Sequence, residues 1–284
     1  MENTRTKTTR NSLILLLTAA IWGMAFVSQS KGMDYMHPFT FNGVRSLIGA
    51  ASILVYILIS RKIAGDKAAP LDWKLNVKAG LLCGIFLTIA STLQQFGIKY
   101  TSVGKAGFIT TLYIIFVPMF GIFLKKKVAP VVWAAAVMAA VGMYLLCMPE
   151  SLHLGAGDIM VFLCAIAFAI QIMTVDHYAA RIDGAVVSCI QFTVCGVVCC
   201  IGALIWGQPT FGQLQEGLGA LLYAGVLSCG VGYTLQIVGQ KGLNPTVAAL
   251  IMSLESVIAT ISGWIAYKIG FLTTDQTLTA RQIA

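Results

Sequence analysis

Apolar positions along the chain gather into long runs separated by short polar connections. Nine runs fall at roughly 12–30, 40–60, 76–98, 106–124, 129–148, 157–176, 184–206, 217–239 and 245–267. About 20 apolar residues in a helix cover the hydrocarbon core of a bilayer, so each run is expected to span one. The connections, mostly four to fifteen residues, leave no room for a soluble domain. The first run follows Arg5, Lys7 and Arg10 as a signal peptide would. It is too long for a signal-peptide core and lacks a small-residue cleavage site, so a retained helix is expected.

Composition agrees. Charged residues make up 11% of the 284, hydrophobic residues 58%, and mean hydropathy is +0.84. An ordinary soluble domain carries about 25% charge, which leaves an all-α integral membrane protein. The net charge of +8 comes from short basic clusters between the runs rather than a stripe on one domain, so nucleic-acid binding is not expected. With the N-terminus inside, the inner segments hold thirteen Lys/Arg, while the outer loops between helices hold only Lys31, Lys99 and Lys105. The positive-inside rule then predicts a multi-pass cell-membrane protein with a cytoplasmic N-terminus.

No metal or cofactor is expected. The eight cysteines nearly all lie in apolar runs without zinc-type CxxC spacing. His37, His153 and His177 fall in predicted loops, which removes intramembrane haem ligands. The VGKA at Val103–Ala106 is not a P-loop, since the first glycine would fall on Lys99 and Ala106 replaces the magnesium-binding hydroxyl.

One stretch is written twice. TLQQFGIK at Thr92–Lys99 returns as TLQIVGQK at Thr234–Lys241, and both Gln236 − Gln94 and Gly239 − Gly97 equal 142. The same offset overlays the third run on the eighth and the fourth on the ninth. Ala20-Ile21 of the first falls on Ala165-Ile166 of the sixth. Each half then reads as one five-helix unit, 1–150 and 151–284. Five is odd, so tandem copies face opposite ways: an inverted repeat, which permits alternating access about a site between the halves. The fifth run lacks a counterpart. LTARQIA at the end aligns with VAPVVWA, so the tenth helix is expected to be cut off after its first turn.

The pieces AAIWGMAFV, GIKYTSVGKAGFITTLYIIFVPMFG and MSLESVIATISGWIAY resemble the EamA-type permeases of the drug/metabolite transporter superfamily over nearly the whole chain. The resemblance implies ten helices in two homologous halves and gradient-driven transport. The tenth would serve packing or a homodimer more than substrate contact. Two departures stand out: Ser256 replaces a common proline, and Asp275-Gln276 replaces a common Gly-Glu pair.

Polar residues inside the runs are the site candidates, because a charge at the bilayer centre costs roughly 2.5–3.5 kcal/mol on insertion scales. Glu255 lies mid-run with no basic neighbour in sequence, and its repeat counterpart is Tyr113. It could bind a cationic group, carry a proton, or serve as a hydrogen-bonded structural carboxyl. Arg45 lies near the start of the second run and either snorkels or faces inward to clamp a carboxylate. Asn42 shares its helical face. Trp22 stands mid-span, whereas Trp73, Trp133, Trp206 and Trp264 fall near span ends. Gln94, Gln171, Gln191 and Gln236 are intramembrane amides, and Thr88, Ser91 and Gln95 form a polar stripe on the third helix. Pro118 is expected to kink the fourth.

Two classes of function follow. One is a secondary-active exporter or exchanger of a small metabolite such as an amino acid or amine. Glu255, Trp22, Tyr113, Gln94, Gln171, Gln236, Arg45 and Asn42 would line its site, with a proton as one candidate coupling ion. The other is a lipid-acting membrane protein, or a non-transporting subunit or sensor on the same fold. An enzyme is disfavoured by scattered single residues and the lack of an intramembrane histidine.

Overall fold

A computed structural model of the chain describes residues 4–65, 71–124, 129–147 and 155–278. The described chain is helical: α1 (Thr4–Gly32), α2 (Pro38–Ala64), α3 (Trp73–Ile98), α4 (Val103–Thr111), α5 (Tyr113–Phe123), α6 (Pro130–Cys147), α7 (Ala156–Tyr178) and α8 (Gly184–Gly202). These are followed by α9 (Phe211–Glu216), α10 (Leu218–Leu222), α11 (Tyr233–Gln240), α12 (Pro245–Met252) and α13 (Glu255–Lys268). Backbone polar groups in lipid must be satisfied within the segment, which leaves the helix as the form for runs this apolar. Eight spans among the described residues are long and apolar enough to cross a membrane. The fifth run is present as α6, whose apolar stretch Pro130–Leu145 falls short of that length. His177 lies in the last turn of α7 rather than in a loop, and His153 lies outside the described residues. Residues 271–278 are not helical, and the rest of LTARQIA lies outside the described residues.

The two halves run in opposite senses. At the end of α1, the Gln29 carbonyl accepts from Gln95 Nε2 near the end of α3. At that same end α7 begins: Asp158 in its first turn accepts from Thr101 Oγ1 at 2.9 Å and pairs with Lys105 Nζ at 2.6 Å. At the opposite end, hereafter the N-terminal end, Asn11 Nδ2 donates to the Lys241 carbonyl at 2.7 Å. So α7 starts where α1 stops, and the pair is antiparallel.

Packing repeats with the same exchange. Helix α3 lies against α7, and its repeat mate, the span Leu218–Gln240, lies against α1. The duplicated glycines make these contacts possible. A Cβ on Gly97 would meet the Gly157 carbonyl at 2.8 Å, and one on Gly239 would meet Leu15 Cδ2 at 2.7 Å. Lipid is as apolar as leucine, so close approach through small residues holds such helices together.

The fourth and ninth spans are both broken, and at equivalent points. Leu112 (φ −58°, ψ −9°) separates α4 from α5, and Leu254 (φ −59°, ψ −13°) precedes α13. In each, the backbone tightens to i→i+3 bonds, Leu112 N–H to Ile109 O and Leu254 N–H to Ile251 O. Pro118 does not cause this. It lies six residues beyond the first break, and position 260 in the second half is a threonine. The shared feature is a hydroxyl one residue before each break: Thr111 Oγ1 donates to Phe108 O at 2.9 Å, and Ser253 Oγ to Leu250 O at 2.8 Å. Such back-bonding competes with the helical ladder and bends helices.

Three stability outcomes follow. Gly97→Ala is expected to lose about 1–3 kcal/mol by overpacking against a carbonyl that cannot retreat. Gly142→Ala, whose Cβ meets nothing within 4 Å, gains about 0.5–1 kcal/mol from chain entropy. Asp158→Asn removes the counter-charge of the buried Lys105 and is expected to cost about 3–5 kcal/mol. Unfolding midpoints of the purified variants, measured in parallel, check each sign.

Candidate functional site

The second segment of each broken helix opens with a polar residue, Tyr113 on α5 and Glu255 on α13. Because the breaks are repeat-equivalent and the halves face each other, the two residues meet: Tyr113 Oη donates to Glu255 Oε1 at 3.0 Å, across a sequence separation of 142. Both are buried, Tyr113 at 2% and Glu255 at 3% exposure. A carboxyl in so dry a place must be bonded or paired. Among the described residues no cation forms an ion pair with Glu255. Beside the breaks, Met143 of α6 accepts Ser256 Oγ at 2.9 Å and Thr111 Oγ1 at 3.5 Å, so α6 buttresses both.

Glu255 and Tyr113 line a narrow cavity of about 30 Å³, room for about two waters. Its wall also holds Trp22, Asn42, Arg45, Gln94, Gln171 and Gln236. All eight candidates read from the sequence therefore come to one place. Arg45 does not snorkel. It is 5% exposed, donates through Nε to Asn42 Oδ1 at 3.0 Å, and stacks over Phe41. Asn42 in turn is fixed by Ser91 Oγ at 3.1 Å and Cys199 Sγ at 3.2 Å. Among the described residues no carboxylate pairs with Arg45.

Trp22 finds its partner on the cavity wall, donating Nε1–H to the Ser228 carbonyl at 3.4 Å and lying 4.5 Å from the Tyr233 ring. Ser228 belongs to a ten-residue π-helical segment, Tyr223–Gly232, which widens the eighth span there. Segments of this kind recur at functional sites. Each repeated glutamine bonds within its own half: Gln94 Nε2 donates to Thr110 Oγ1 at 3.2 Å, and Gln236 Nε2 donates to Gln171 Oε1 at 3.2 Å. The Oε1 atoms of Gln236 and Gln29, both on the cavity wall, have no protein donor. Such acceptors await water or a donor on a ligand. The polar stripe on α3 divides: Ser91 faces the cavity, Gln95 bonds Gln29 O, and Thr88 bonds its own backbone at Gly84 O.

Tyr233, Phe168, Phe192, Ser228 and Cys229 also line the wall and were not among the sequence candidates. The offset could have found two of them, since Tyr233 answers Ser91 and Cys229 answers Leu87, both on the same wall. Apolar clusters pack toward both ends of the bundle: Ala79, Cys83, Val187 and Ile237 at the N-terminal end, and Ile98, Val103, Ala106 and Ala259 at the far one.

Comparison with known proteins fits this architecture. The profile of the EamA-like transporter family matches residues 10–148 and again 155–275. An uncharacterized transporter of Archaeoglobus fulgidus is 30% identical over 171 residues, which is 58% of this chain and about half (48%) of that protein. An uncharacterized transporter of Clostridium kluyveri is 24% identical over 264 residues, 88% of this chain and 83% of its own. The uncharacterized transporter YwfM of Bacillus subtilis is 26% identical over 256 residues, 89% and 84% of the two chains. A solved crystal structure superposes with a TM-score of 0.73 at 16% identity, covering 97% of this chain and 92% of its own, and so shares the fold. With two family matches tiling the bundle and the cavity between them, the chain is a multi-pass membrane transporter, not an enzyme, and belongs to the EamA-like transporter family.

Proposed function

We propose that the chain is a secondary-active exporter or exchanger of a small zwitterion of the amino-acid class, in the cell membrane with its N-terminus cytoplasmic. One observation carries this reading. Two opposite charges, Glu255 and Arg45, are buried in the same cavity, and neither is ion-paired within the described protein. A ligand bearing an ammonium and a carboxylate satisfies both; an amine without a carboxylate leaves Arg45 unanswered. Trp22, Tyr233 and Phe192 supply aromatic walls, and the orphan carbonyl oxygens of Gln29 and Gln236 accept further ammonium protons.

The mechanism follows from the size of the cavity. At about 30 Å³ it is too small for an amino acid, since ligand pockets run to about 300–1,000 Å³, so binding requires the apolar cluster at one end to part. The breaks at Leu112 and Leu254 give α4/α5 and α12/α13 points about which to bend, one in each half. Bending at one opens the site to one side, and bending at the other opens it to the opposite side. A proton and the substrate ammonium compete for the Glu255 carboxylate, which couples substrate to the proton gradient.

In proteoliposomes, Glu255→Gln is expected to weaken uptake of the transported amino acid about 10- to 100-fold and to abolish stimulation by an imposed pH gradient. Arg45→Gln weakens amino acids to the same extent but spares the corresponding amines. Equal loss of both ligand classes in Arg45→Gln, or full amino-acid uptake by either variant, contradicts the assignment. Binding without flux identifies a sensor. Tyr113→Phe combined with Glu255→Gln is expected to be non-additive, because the two changes remove ends of one hydrogen bond. Additive losses separate the residues.

A further inference from the structure

A second cavity, of about 610 Å³, opens at the N-terminal end of the bundle and is unrelated to the central site. Three cations from three elements line it: Arg61 in the last turn of α2, Arg181 in the turn between α7 and α8, and Lys241 in the turn after α11. Its two carboxylates are engaged locally. Asp72 Oδ1 caps α3 by accepting from Leu75 N–H, and Asp183 Oδ1 caps α8 by accepting from Ala185 and Val186 N–H. Asn76 stiffens the floor, its Oδ1 accepting from Asp183 N–H at 2.9 Å. Ala79, Cys83, Val187 and Ile237 stand between this crevice and the central cavity, so it is a separate site.

Its wall changes character with depth. Tyr56 and Ile57 line it five and four residues before Arg61, hence about 6–8 Å deeper along α2 at 1.5 Å per residue. Val238 lies three residues before Lys241 on α11. Tyr56 is 59% exposed on the outer surface of the bundle. The crevice thus places cations at the level of a membrane–water interface and apolar wall directly beneath, on the side where the basic loops cluster. A free inorganic anion has no use for the apolar wall. A lipid phosphate with acyl chains attached matches both levels.

We propose that this crevice binds the headgroup of an anionic phospholipid, with the phosphate held by Arg61, Arg181 and Lys241 and the chains running along Tyr56, Ile57 and Val238. The first two of those cations come from different halves, so the bound lipid bridges the inverted repeats at that end. This assignment does not rest on the substrate proposed for the central cavity.

Native mass spectrometry of the full chain in detergent, titrated with phosphatidylglycerol or phosphatidylcholine, tests it. The wild type is expected to retain phosphatidylglycerol in preference to phosphatidylcholine. Arg61→Gln combined with Arg181→Gln is expected to weaken that retention on the order of 30-fold, from the usual contribution of a basic residue to anionic-lipid binding. Lys241 is left intact because its Nζ also holds the Ile182 carbonyl at 3.2 Å. Lys74→Gln with Lys78→Gln, at the same end but outside the crevice, is expected to leave retention unchanged. Should the first pair fail to purify, Arg181→Gln alone, on an exposed turn, serves for the same comparison with a smaller loss. Three results overturn the proposal: equal retention of both lipids, equal loss in the Lys74/Lys78 pair, or thermal stabilisation by inorganic phosphate matching that by phosphatidylglycerol.

Discussion

A carboxyl group in the middle of a membrane bundle must find a hydrogen-bond donor or a counter-charge, and much of this architecture serves that demand. Glu255 meets it with Tyr113 at 3.0 Å, the residue at its own position in the other half. The contact requires that the halves be inverted and that both spans be interrupted one residue earlier. It also requires that α3 and the eighth span pack closely enough on their neighbours to bring α5 and α13 together. Gly97 and Gly239 meet the last requirement, and Thr111 and Ser253 meet the second. The hydrogen bond is thus the point at which duplication, inversion and helix breakage converge.

Symmetry positions the site, and departures from symmetry give it chemistry. Tyrosine faces glutamate rather than glutamate facing itself, which avoids two like charges in one dry cavity. Arg45 on α2 supplies the opposite charge, anchored through Asn42 to Ser91 and Cys199. The eighth span carries a π-helical segment where α3 is regular, and that segment turns the Ser228 carbonyl toward Trp22. An exact duplicate would hold neither a dipole across the cavity nor an asymmetric aromatic wall.

Much of the fold was legible in the sequence because a bilayer imposes strong rules. Run length gives the spans, and the 142-residue offset pairs them. Intramembrane polarity picked out eight residues that share one wall, since each costs too much to face lipid. What was not legible has physical reasons. Leu112 looks like any other apolar residue, and its break becomes predictable only when Thr111 and Ser253 are compared across the offset; Pro118, the louder signal, lies elsewhere. Arg45 stood equally close to the interface and to the interior, and only the three-dimensional position of Asn42 decides between them. The π-helical segment depends on how glycines at 225, 230 and 232 pack on α1 and α2, which no local pattern encodes. The basic crevice draws on residues 61, 181 and 241, each an ordinary topology cation when read singly.

Alternating access requires the central cavity to open to each side of the membrane in turn. Cys229, 2% exposed and on the cavity wall, reports on this directly once it is left as the sole cysteine. Oriented vesicles are treated with a membrane-impermeant thiol reagent on one side at a time. Modification is expected from either side, each slowed by the transported amino acid. Modification from one side only, or from neither, contradicts it.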